Sequence, residues 1–282
     1  MPFLSVGLPT YNRPEGLEKV IQYLIKQDYQ HLEIIISDNC SPNPKVKEIL
    51  EHYAKLDSRI RYFIQAKNIE IEPNFNFVYH QAKGDYFMWI ADDDEFPMNY
   101  FSACIDFLEK NKDYILCSGL ATYYTNEQML FSDKEINLPS QSALIRLLKY
   151  LIQVNKNGVF YGVYRNHVAF DNPIQKHIGA DWNHIARIAL MGKIKTLDHI
   201  QSKRSDEGGS SSRSKIAARW GISSLKKVFM ETYIAYEVAY YLFNESRLRK
   251  KFIYPVRVSI QILVFLFLNA KFLYNSIRKR LK

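Results

Sequence analysis

The sequence predicts an α/β fold, with a mostly parallel sheet flanked by helices and a helical C-terminal extension. Two observations support this prediction. Short runs of β-branched and aromatic residues alternate with helical patterns over residues 3–125, as is typical of crossovers between parallel strands. Polar segments follow several of these runs, at the strand ends where parallel sheets bind ligands. Beyond residue 125 the pattern loosens, and residues 215–282 are largely helical by pattern.

The individual elements follow from local patterns. The run FLSVGL at 3–8 is typical of a buried strand, and Pro14 suits the first turn of a helix whose apolar residues share one face. Further strands are predicted at 32–37, 60–64, 86–91, 114–124, 159–165 and 193–197. Further helices are predicted at 44–56, 74–82, 98–110 and 141–153, and another within the segment 179–193.

Positive charge is concentrated at the C-terminus. Residues 246–282 contain ten Lys and Arg and no Asp or Glu, so in a chain of net charge +9 the other 245 residues sum to −1. A nucleic-acid-binding protein would spread its basic surface through the fold, so we expect no nucleic-acid partner. The basic tail instead predicts contact with an anionic surface.

The cysteines and the N-terminus favour a reduced, cytoplasmic protein. Cys40, Cys104 and Cys117 show no C-x-x-C spacing, and the first residues lack a basic segment followed by an apolar one. The longest apolar stretch, residues 258–270, has 13 residues, whereas roughly 20 are needed to span a bilayer. We therefore expect a helix that lies in the membrane plane rather than one that crosses it.

The segment MWIADDDE at 88–95 places four consecutive carboxylates directly after an apolar strand. Adjacent carboxylates repel one another, and burial raises their pKa values unless a cation compensates. Oxygen ligands of this kind suit Mg²⁺ or Mn²⁺. A solvated acidic turn is the alternative, but the position of Asp92, Asp93 and Asp94 at the predicted ligand edge favours a cation site.

Two further polar segments end predicted strands, SDNCS at 37–41 and PTYNR at 9–13. Asp38 can accept a hydrogen bond from a nucleotide base or ribose, but it can equally form an Asx turn or cap the next helix. Thr10 and Tyr11 can line a nucleotide pocket, while the asparagine after them can cap the following helix. All three polar segments are expected to meet at one edge of the sheet.

Three stretches together resemble the family 2 inverting glycosyltransferases of the GT-A fold. They are LSVGLPTYNRPEGLEKVIQYLIKQDYQHLEIIISDNCS, RIRYFIQAKNIEIEPNFNF and AKGDYFMWIADDDEFP, in the order and spacing of that family. The resemblance is close over residues 3–125 and weaker to about 215. It implies a catalytic domain at 1–214, with a nucleotide-sugar-binding half at 1–125 and an acceptor-binding half at 126–214, and a basic helical extension at 215–282.

The resemblance implies roles for individual residues. It implies Mn²⁺ or Mg²⁺ bound directly by Asp94, with Asp92 near the metal or the ribose, so that the cation offsets charge on the departing nucleoside diphosphate. One departure is Glu70, which stands where the family commonly has the glycine of Asn-x-Gly. Its side chain would narrow the donor pocket or face solvent. The residues implied in binding the donor nucleotide are Pro9, Thr10, Tyr11, Arg13, Asp38, Asn68, Asp92, Asp93 and Arg204.

An inverting transfer needs one base that takes the proton of the attacking hydroxyl. The family usually supplies an acidic residue, often in Glu-Asp, just before a helix in its second half. GADWNHIARIALMGK at 179–193 resembles that element, with Ala180 in place of the Glu and Asp181 as the implied catalytic base. Asp181 could instead cap a helix that begins at Trp182, and Trp182 could stack on a sugar or pack in the core.

The segment after the strand KIKTL also resembles the family. Some relatives place a metal-binding or phosphate-facing histidine there, which implicates His199, and an arginine near the diphosphate, which implicates Arg204. The Gly/Ser-rich stretch at 205–214 is either a lid over the donor or a flexible linker. The basic tail is expected to bind anionic lipid or to pack on protein.

The resulting interpretation is a cytoplasmic glycosyltransferase, peripheral at the inner face of the plasma membrane. It would move a sugar from a nucleotide-diphospho-sugar to a polysaccharide or lipid-linked oligosaccharide acceptor, with inversion. A sugar-phosphate nucleotidyltransferase is disfavoured because PTYNRPEG is not a Gly-rich phosphate loop. A non-catalytic scaffold of the same fold, binding nucleotide or membrane, is the second alternative.

Overall fold

The computed structural model describes residues 1–125, 128–166, 172–205, 217–218, 220–221, 229–244 and 248–280. The strands in this part of the chain are β1 Leu4–Thr10, β2 Leu32–Asp38, β3 Ile60–Ile64, β4 Tyr86–Trp89, β5 Tyr114–Thr125, β6 Gln128–Ser132, β7 Asn137–Leu138, β8 Val163–Arg165 and β9 Lys193–Ser205. They form one sheet in the order β3-β2-β1-β4-β8-β5-β9-β7, with β6 paired to β5.

The helices flank this sheet as predicted. Those of the first half begin and end close to the predicted positions, because Pro14 and Pro44 open their helices and apolar residues recur on one face. The described helices are α1 Pro14–Ile25, α2 Pro44–Leu56, α3 Ile71–His80, α4 Tyr100–Lys110, α5 Ala143–Gln153, α6 Ala180–Met191, α7 Met230–Tyr241, α8 Leu248–Lys251 and α9 Tyr254–Arg280.

The first half of the sheet is parallel and the second half is mixed. Strands β3, β2, β1 and β4 all run in one direction, which is why their carboxyl ends share one edge. Strand β8 is antiparallel to both β4 and β5, whereas β5 and β9 are parallel. The sheet is therefore continuous across both halves of the predicted catalytic domain.

Alternating strand residues bury two apolar layers, one on each face of the sheet. Val6 and Ile34 belong to the layer beneath α1, α2 and α4. Phe87 and Trp89 belong to the opposite layer, together with residues of α3, α5, α6 and α9 such as Val264. Because successive side chains of a strand point to opposite faces, both layers form around one backbone plane.

One predicted element of the second half differs in the structure. The run VFYGVYR, predicted as one strand, is a 3₁₀ turn at Gly158–Tyr161 followed by the short strand β8. Phe160 stacks on Trp89 with ring centroids 5.4 Å apart, so tertiary packing overrides the β propensity of this aromatic run. The predicted domain boundary at residue 214, and the Gly/Ser-rich stretch beyond Ser205, lie outside the described residues.

The C-terminal helix is longer than its apolar run suggested. Helix α9 spans 27 residues, and its segment Tyr254–Asn275 is long and apolar enough to cross a membrane by length and composition, with a mean hydropathy of 1.7. The predicted apolar stretch of 13 residues, which already included Gln261 and Asn269, was too short because the helix continues past Arg257 and Lys271, the charged residues at the two ends of that stretch. Gln261 donates to the Tyr240 carbonyl and Asn269 to the Phe265 carbonyl, each at 2.8 Å.

Candidate active site

Three strand ends meet at one edge of the sheet, as predicted. Thr10 at the end of β1 lies in register with Asp38 at the end of β2. The Thr10 hydroxyl donates a hydrogen bond of 2.8 Å to Asp92, which follows β4. We call residues 92–95 the acidic edge. Pro9 is buried inside β1, and Tyr11 is exposed just beyond it.

Arg13 holds the first two carboxylates of the acidic edge. Its Nη1 atom lies 2.9 Å from an oxygen of Asp92 and 2.8 Å from an oxygen of Asp93. Burial raises the pKa of Asp92, while Arg13 and Thr10 oppose that rise. Because the Arg13 side chain is about half exposed, water screens part of this attraction. Arg13 is thus a counter-ion that a ligand can also reach.

Arg204 holds the third carboxylate. Glu95 and Lys203 exchange two backbone hydrogen bonds of 2.9 Å, which attach the end of β9 to the acidic edge. This places Arg204 Nη2 2.5 Å from Asp94, with both side chains buried. The guanidinium also lies 3.8 Å from the centroid of the Tyr161 ring. Burial raises the pKa of Asp94 to about 7, although the charge of Arg204 opposes the rise.

The chemistry of the acidic edge fits a divalent cation that a ligand helps to bind. Such ions are usually held by one or two carboxylates together with substrate phosphates, and Asp94 and Asp92 can supply the carboxylates. Within the described ranges, no group of three or more His, Cys, Asp and Glu converges to hold a metal alone. The remaining ligands would have to come from a bound molecule, and the cation would compete with Arg204 for Asp94.

His199 does not join the acidic edge. Its side chain is 68% exposed and lies 3.5 Å from Asp198. It lies in a stretch of β9 whose pairing with β5 is irregular, between Leu197 and Gln201. The contacts found for His199 include none to Asp92 or Asp94, so its role at a metal stays a prediction that the geometry does not favour.

Asp38 forms a turn that joins two of the polar segments. Its carboxylate accepts a hydrogen bond of 3.1 Å from the Ser41 backbone N–H and another from the Ser41 hydroxyl. Ser41 Oγ in turn accepts from the Asn12 backbone N–H at 2.7 Å. Of the alternatives for Asp38, the structure shows the Asx turn. Contact between Asp38 and a nucleotide stays a prediction. The expected cap by Asn12 was wrong, since Arg13 is the N-cap of α1 and shows no side-chain cap hydrogen bond.

Asn68 and Asn39 connect the end of β2 to the loop before α3. The Asn68 side-chain oxygen accepts from the Asn39 amide at 3.2 Å and from the Glu70 backbone N–H at 2.8 Å. Glu70 has φ +72°, a conformation that favours glycine. Its exposed side chain pairs with Lys176. Of the two alternatives for Glu70, facing solvent is the observed one.

Asp181 lies in the first turn of α6 and is not its cap. Gly179 is the N-cap, with φ +78°. The Asn157 side-chain amide donates a hydrogen bond of 3.1 Å to the Asp181 carboxylate. The Asn157 oxygen accepts from the Tyr150 hydroxyl at 3.0 Å. Asp181 is therefore a partly exposed carboxylate oriented by a buried amide.

Tyr161 contacts the acidic edge through Arg204, whose guanidinium lies 3.8 Å from its ring centroid, and it ends the turn that follows Asn157, the hydrogen-bond partner of Asp181. Burial raises its pKa, the charge of Arg204 opposes the rise, and the charges of Asp94, Asp93 and Asp181 add to it. One phenol ring is thus within electrostatic reach of the carboxylates of the acidic edge and of Asp181. The two predicted sites share one region of the molecule.

Trp182 packs against the C-terminal helix. Its ring centroid lies 5.9 Å from that of Phe272, and Lys271 Nζ lies 5.4 Å from its centroid. Lys271 also donates to the Leu151 carbonyl at 2.7 Å. Core packing, rather than an open sugar-stacking wall, is the observed state of Trp182.

Sequence reasoning missed three residues of this region, Asn39, Asn157 and Tyr161. Asn157 had a usable signal, because Asn-Gly is a turn dipeptide whose asparagine tolerates positive φ. Asn39 lies in the polar segment SDNCS, which the sequence analysis singled out without assigning it a role. Tyr161 had no local signal, because its neighbours in space are distant in sequence.

Comparisons with known proteins agree with this geometry. The family model described as "Glycosyl transferase family 2" matches residues 5–164, more than half of the chain. The GalNAc(5)-diNAcBac-PP-undecaprenol beta-1,3-glucosyltransferase of Campylobacter jejuni is 30% identical over 167 residues, which are 58% of this chain and 52% of that protein. Escherichia coli WcaA, named for colanic acid biosynthesis, is 30% identical over 168 residues, 58% of each chain. The chain thus spans little more than half the length of these relatives.

Solved structures share the fold at low sequence identity. S. aureus TarS 1-349 in complex with UDP-GlcNAc has a TM-score of 0.58 at 18% identity, covering 88% of this chain and 74% of that one. The mannosyltransferase PcManGT of Pyrobaculum calidifontis, in complex with GDP-Man and Mn²⁺, has a TM-score of 0.56 at 13% identity, covering 97% and 88%. These likenesses confirm the predicted fold class. The family match, which covers more than half of the chain, shows that the chain belongs to glycosyl transferase family 2.

Proposed function

We propose that this glycosyltransferase moves one sugar from a nucleotide-diphospho-sugar to a polysaccharide or lipid-linked saccharide acceptor, with inversion at the anomeric carbon. The contacts on either side of Tyr161 support the proposal: Arg204, which pairs with Asp94, lies 3.8 Å from the Tyr161 ring, and the turn that ends at Tyr161 begins after Asn157, which donates to Asp181. Neighbours of the same fold hold UDP-GlcNAc or GDP-Man. A relative is named for an undecaprenol-linked substrate.

The proposed reaction uses Asp181 as the base. Its carboxylate takes the proton of the acceptor hydroxyl while the hydroxyl oxygen attacks the anomeric carbon from the face opposite the diphosphate. The new glycosidic bond forms as the bond from the anomeric carbon to the diphosphate oxygen breaks. The electron pair leaves with the nucleoside diphosphate, next to which Arg204 and Arg13 would supply positive charge.

The acidic edge would bind the donor with a divalent cation. Asp94, with Asp92 beside it, would hold Mn²⁺ or Mg²⁺ together with the donor phosphates, and the bound cation would stabilise negative charge on the leaving diphosphate. The donor-nucleotide roles of Thr10, Tyr11, Arg13, Asp38 and Asn68 belong to the same proposal. Their support is that the three strand ends meet.

The C-terminal extension would hold the enzyme at the cytoplasmic face of an anionic membrane. One face of α9 packs on the catalytic core through Ile260, Val264 and Leu268. Leu266 and Leu273 on its other side are 59% and 63% exposed. Basic residues flank this apolar surface, and each would contribute on the order of 1 kcal/mol near anionic lipid. A lipid-linked acceptor would meet the active site at such a surface.

Donor binding is tested by the thermal stabilisation that UDP, GDP, dTDP and CDP give, each with and without Mn²⁺. We expect one nucleotide to stabilise the protein in a metal-dependent way, and Asp94→Asn to abolish the effect. Asn is the suitable replacement because it retains an acceptor for Arg204. His199→Ala is the matched control and should keep wild-type binding. A well-folded protein that no nucleotide stabilises would contradict the donor-binding proposal.

Catalysis is tested by sugar transfer to membrane extracts, comparing the wild type with Asp181→Asn. We expect transfer to fall by about 10²–10⁴-fold while nucleotide binding is retained, because Asp181 makes no contact with the acidic edge among those described. Wild-type transfer by Asp181→Asn would exclude this base. Nucleotide binding without transfer by the wild type would favour the non-catalytic scaffold.

A further inference from the structure

We propose that Asn157 is a positioning residue that orients the Asp181 carboxylate toward the acceptor hydroxyl. This inference rests on the proposed role of Asp181 and adds a residue from a separate loop. Asn157 lies 24 positions before Asp181 in the chain, immediately before the 3₁₀ turn Gly158–Tyr161.

The hydrogen bonds of Asn157 fix which way its side chain points. Its Nδ2 donates to Asp181 Oδ2 at 3.1 Å, and its Oδ1 lies 3.0 Å from the Tyr150 hydroxyl, whose single proton is shared with the Trp182 carbonyl at 3.2 Å. A flipped amide would direct its oxygen at a carboxylate, and two acceptors repel. Burial raises the pKa of Tyr150 well above its ordinary value, so this phenol stays protonated and remains a donor. The contacts therefore assign the amide nitrogen to Asp181.

The loop that carries Asn157 is held in place on both sides. The Asp133 carboxylate accepts from the Gly158 backbone N–H at 2.8 Å and from the Lys156 backbone N–H at 3.2 Å. Asn157 itself is 2% exposed. An amide fixed in this way loses little conformational freedom when it orients a neighbour, which is the requirement for a preorganised site.

The backbone at position 157 restricts which residue can perform this task. Asn157 has φ +65° and ψ +34°, a left-handed conformation that Gly, Asn and Asp adopt most readily. Gly has no side chain, and Asp would direct a second carboxylate at Asp181. Asn alone of these three combines a donor for Asp181 with an acceptor for Tyr150. The sequence Asn-Gly therefore meets the backbone requirement and the chemical requirement together.

The experiment compares Asn157→Gly and Asn157→Asp with the wild type in sugar transfer from membrane extracts. Both replacements tolerate the left-handed backbone, so the fold should be retained. For Asn157→Gly we expect kcat to fall by about 10–100-fold, as for a small misplacement of a reacting group, with the donor KM and the nucleotide-induced thermal shift unchanged. Asn183→Ala is the control for loss of a buried amide, because Asn183 lies in the same helix as Asp181 but donates to the Val238 carbonyl.

The pH profile separates positioning from a merely structural role. In Asn157→Asp a second carboxylate faces Asp181, so the acid limb of kcat/KM should move to higher pH by about one unit or more. Among the described residues, Tyr150, Tyr161 and Tyr164 lie within electrostatic reach of Asp181. Burial raises their pKa values, so they do not titrate on that limb. A loss of folding alone would lower the amount of active enzyme without moving the limb.

The outcomes distinguish this inference from the proposed function. If Asp181→Asn abolishes transfer while Asn157→Gly keeps wild-type kcat and Asn157→Asp keeps the wild-type acid limb, Asp181 is the base and Asn157 does not position it. If Asp181→Asn transfers sugar like the wild type, the base proposal itself fails. The expected result is loss in Asn157→Gly, a shifted limb in Asn157→Asp, and wild-type kcat in Asn183→Ala.

Discussion

The acidic edge and the Asp181 site keep carboxylates in a partly buried region by different means. At the acidic edge, Arg13 and Arg204 pair with three consecutive carboxylates, and Lys19 pairs with the fourth. At Asp181, the neutral amide of Asn157 donates a hydrogen bond to the carboxylate. The contacts described for the first region balance charge, whereas the contact between Asn157 and Asp181 orients a carboxylate.

This difference suits the chemistry proposed for each region. In a site that binds an anionic donor and a cation, the charged side chains must be able to change partners. Side chains held in ion pairs can do so when the ligand supplies charges of opposite sign. A base that takes a proton must keep its geometry while its charge changes, and a neutral donor holds it without fixing it in one ionisation state. We therefore expect substitutions at the acidic edge and at the Asp181 site to affect stability and activity in different ways.

The largest effect on stability is expected from breaking the buried pair of Asp94 and Arg204. Asp94→Ala leaves a buried guanidinium that cannot lose its proton, so we expect the free energy of unfolding to fall by about 3–5 kcal/mol. Arg204→Met should cost less, because burial already raises the pKa of Asp94 to about 7 and the carboxyl can take up a proton. Denaturant unfolding at pH 7.5 measures both values.

The double variant Asp94→Leu/Arg204→Met is the control for this prediction. It removes both charges, and we expect it to recover most of the lost stability. Equal losses for the two single variants would show that the pair is not buried as described. Such a result would remove the contrast between a charged and a neutral region.

The sequence predicted the acidic edge more fully than the Asp181 site, for a physical reason. The residues of the acidic edge lie at the ends of strands whose order and direction follow from alternating patterns, so Thr10, Asp38 and Asp92 could be placed together from the sequence alone. Their counter-ions could not be assigned as such, because Arg204 reaches Asp94 across 110 positions of sequence. Long-range pairing of this kind leaves no local pattern.

The Asp181 site depended on the family resemblance instead. Asp181 was identified from a motif. Asn157 and Tyr161 lie at a turn, whereas the aromatic run at 159–165 predicted a strand there. Stacking of Phe160 on Trp89 decides that conformation, and such contacts are not visible in a single sequence. The C-terminal helix was also underestimated, because its apolar stretch was taken to end at Arg257 and Lys271, whereas the helix continues through both residues.

Acid should destabilise the second half through a buried histidine. Burial lowers the pKa of His177 to about 4, below its unfolded value of about 6.5. Between these values the unfolded state binds the proton and the folded state does not, so stability falls as pH drops from about 6.5 to 4, by roughly 3 kcal/mol. His177→Phe keeps a ring to stack on Tyr241 and should remove this part of the pH dependence.

The acidic edge should contribute with the opposite sign over the same range. The pKa of Asp94 is about 7 in the fold, above its unfolded value, so protonation below pH 7 favours the folded state. Urea unfolding curves from pH 4 to 7.5 for the wild type, His177→Phe and Asp94→Asn separate the two contributions. A His177→Phe curve parallel to the wild type would contradict the assignment to His177.

A smaller effect is expected where α1 touches the acidic edge. A Cβ atom added at Gly16 would lie 2.2 Å from the Asp92 carbonyl oxygen, so Gly16→Ala must push the helix and the acidic edge apart. We expect a loss of about 1–3 kcal/mol and weaker nucleotide binding, measured by denaturation and thermal shift. Glu15→Ala, at an exposed neighbouring position, should leave both unchanged. Wild-type behaviour of Gly16→Ala would show that the contact is loose.

The smallest effect, and a stabilising one, is expected at Glu70. Its φ of +72° and ψ of +178° lie in a region that only glycine occupies easily, at a cost of order 1–3 kcal/mol for other residues. Glu70→Gly relieves that strain. Two effects oppose the gain: glycine adds conformational freedom to the unfolded chain, and the exposed ion pair with Lys176 is lost. Each of these two effects costs about 0–1 kcal/mol. We expect a net gain of about 1 kcal/mol by urea unfolding, with Lys176→Ala, which removes only the pair, as the control. Because the Glu70 side chain faces solvent, nucleotide binding should not change. Altered nucleotide selectivity in Glu70→Gly would instead place this side chain at the donor pocket, and would make the acidic edge a site that discriminates among donors as well as one that balances charge.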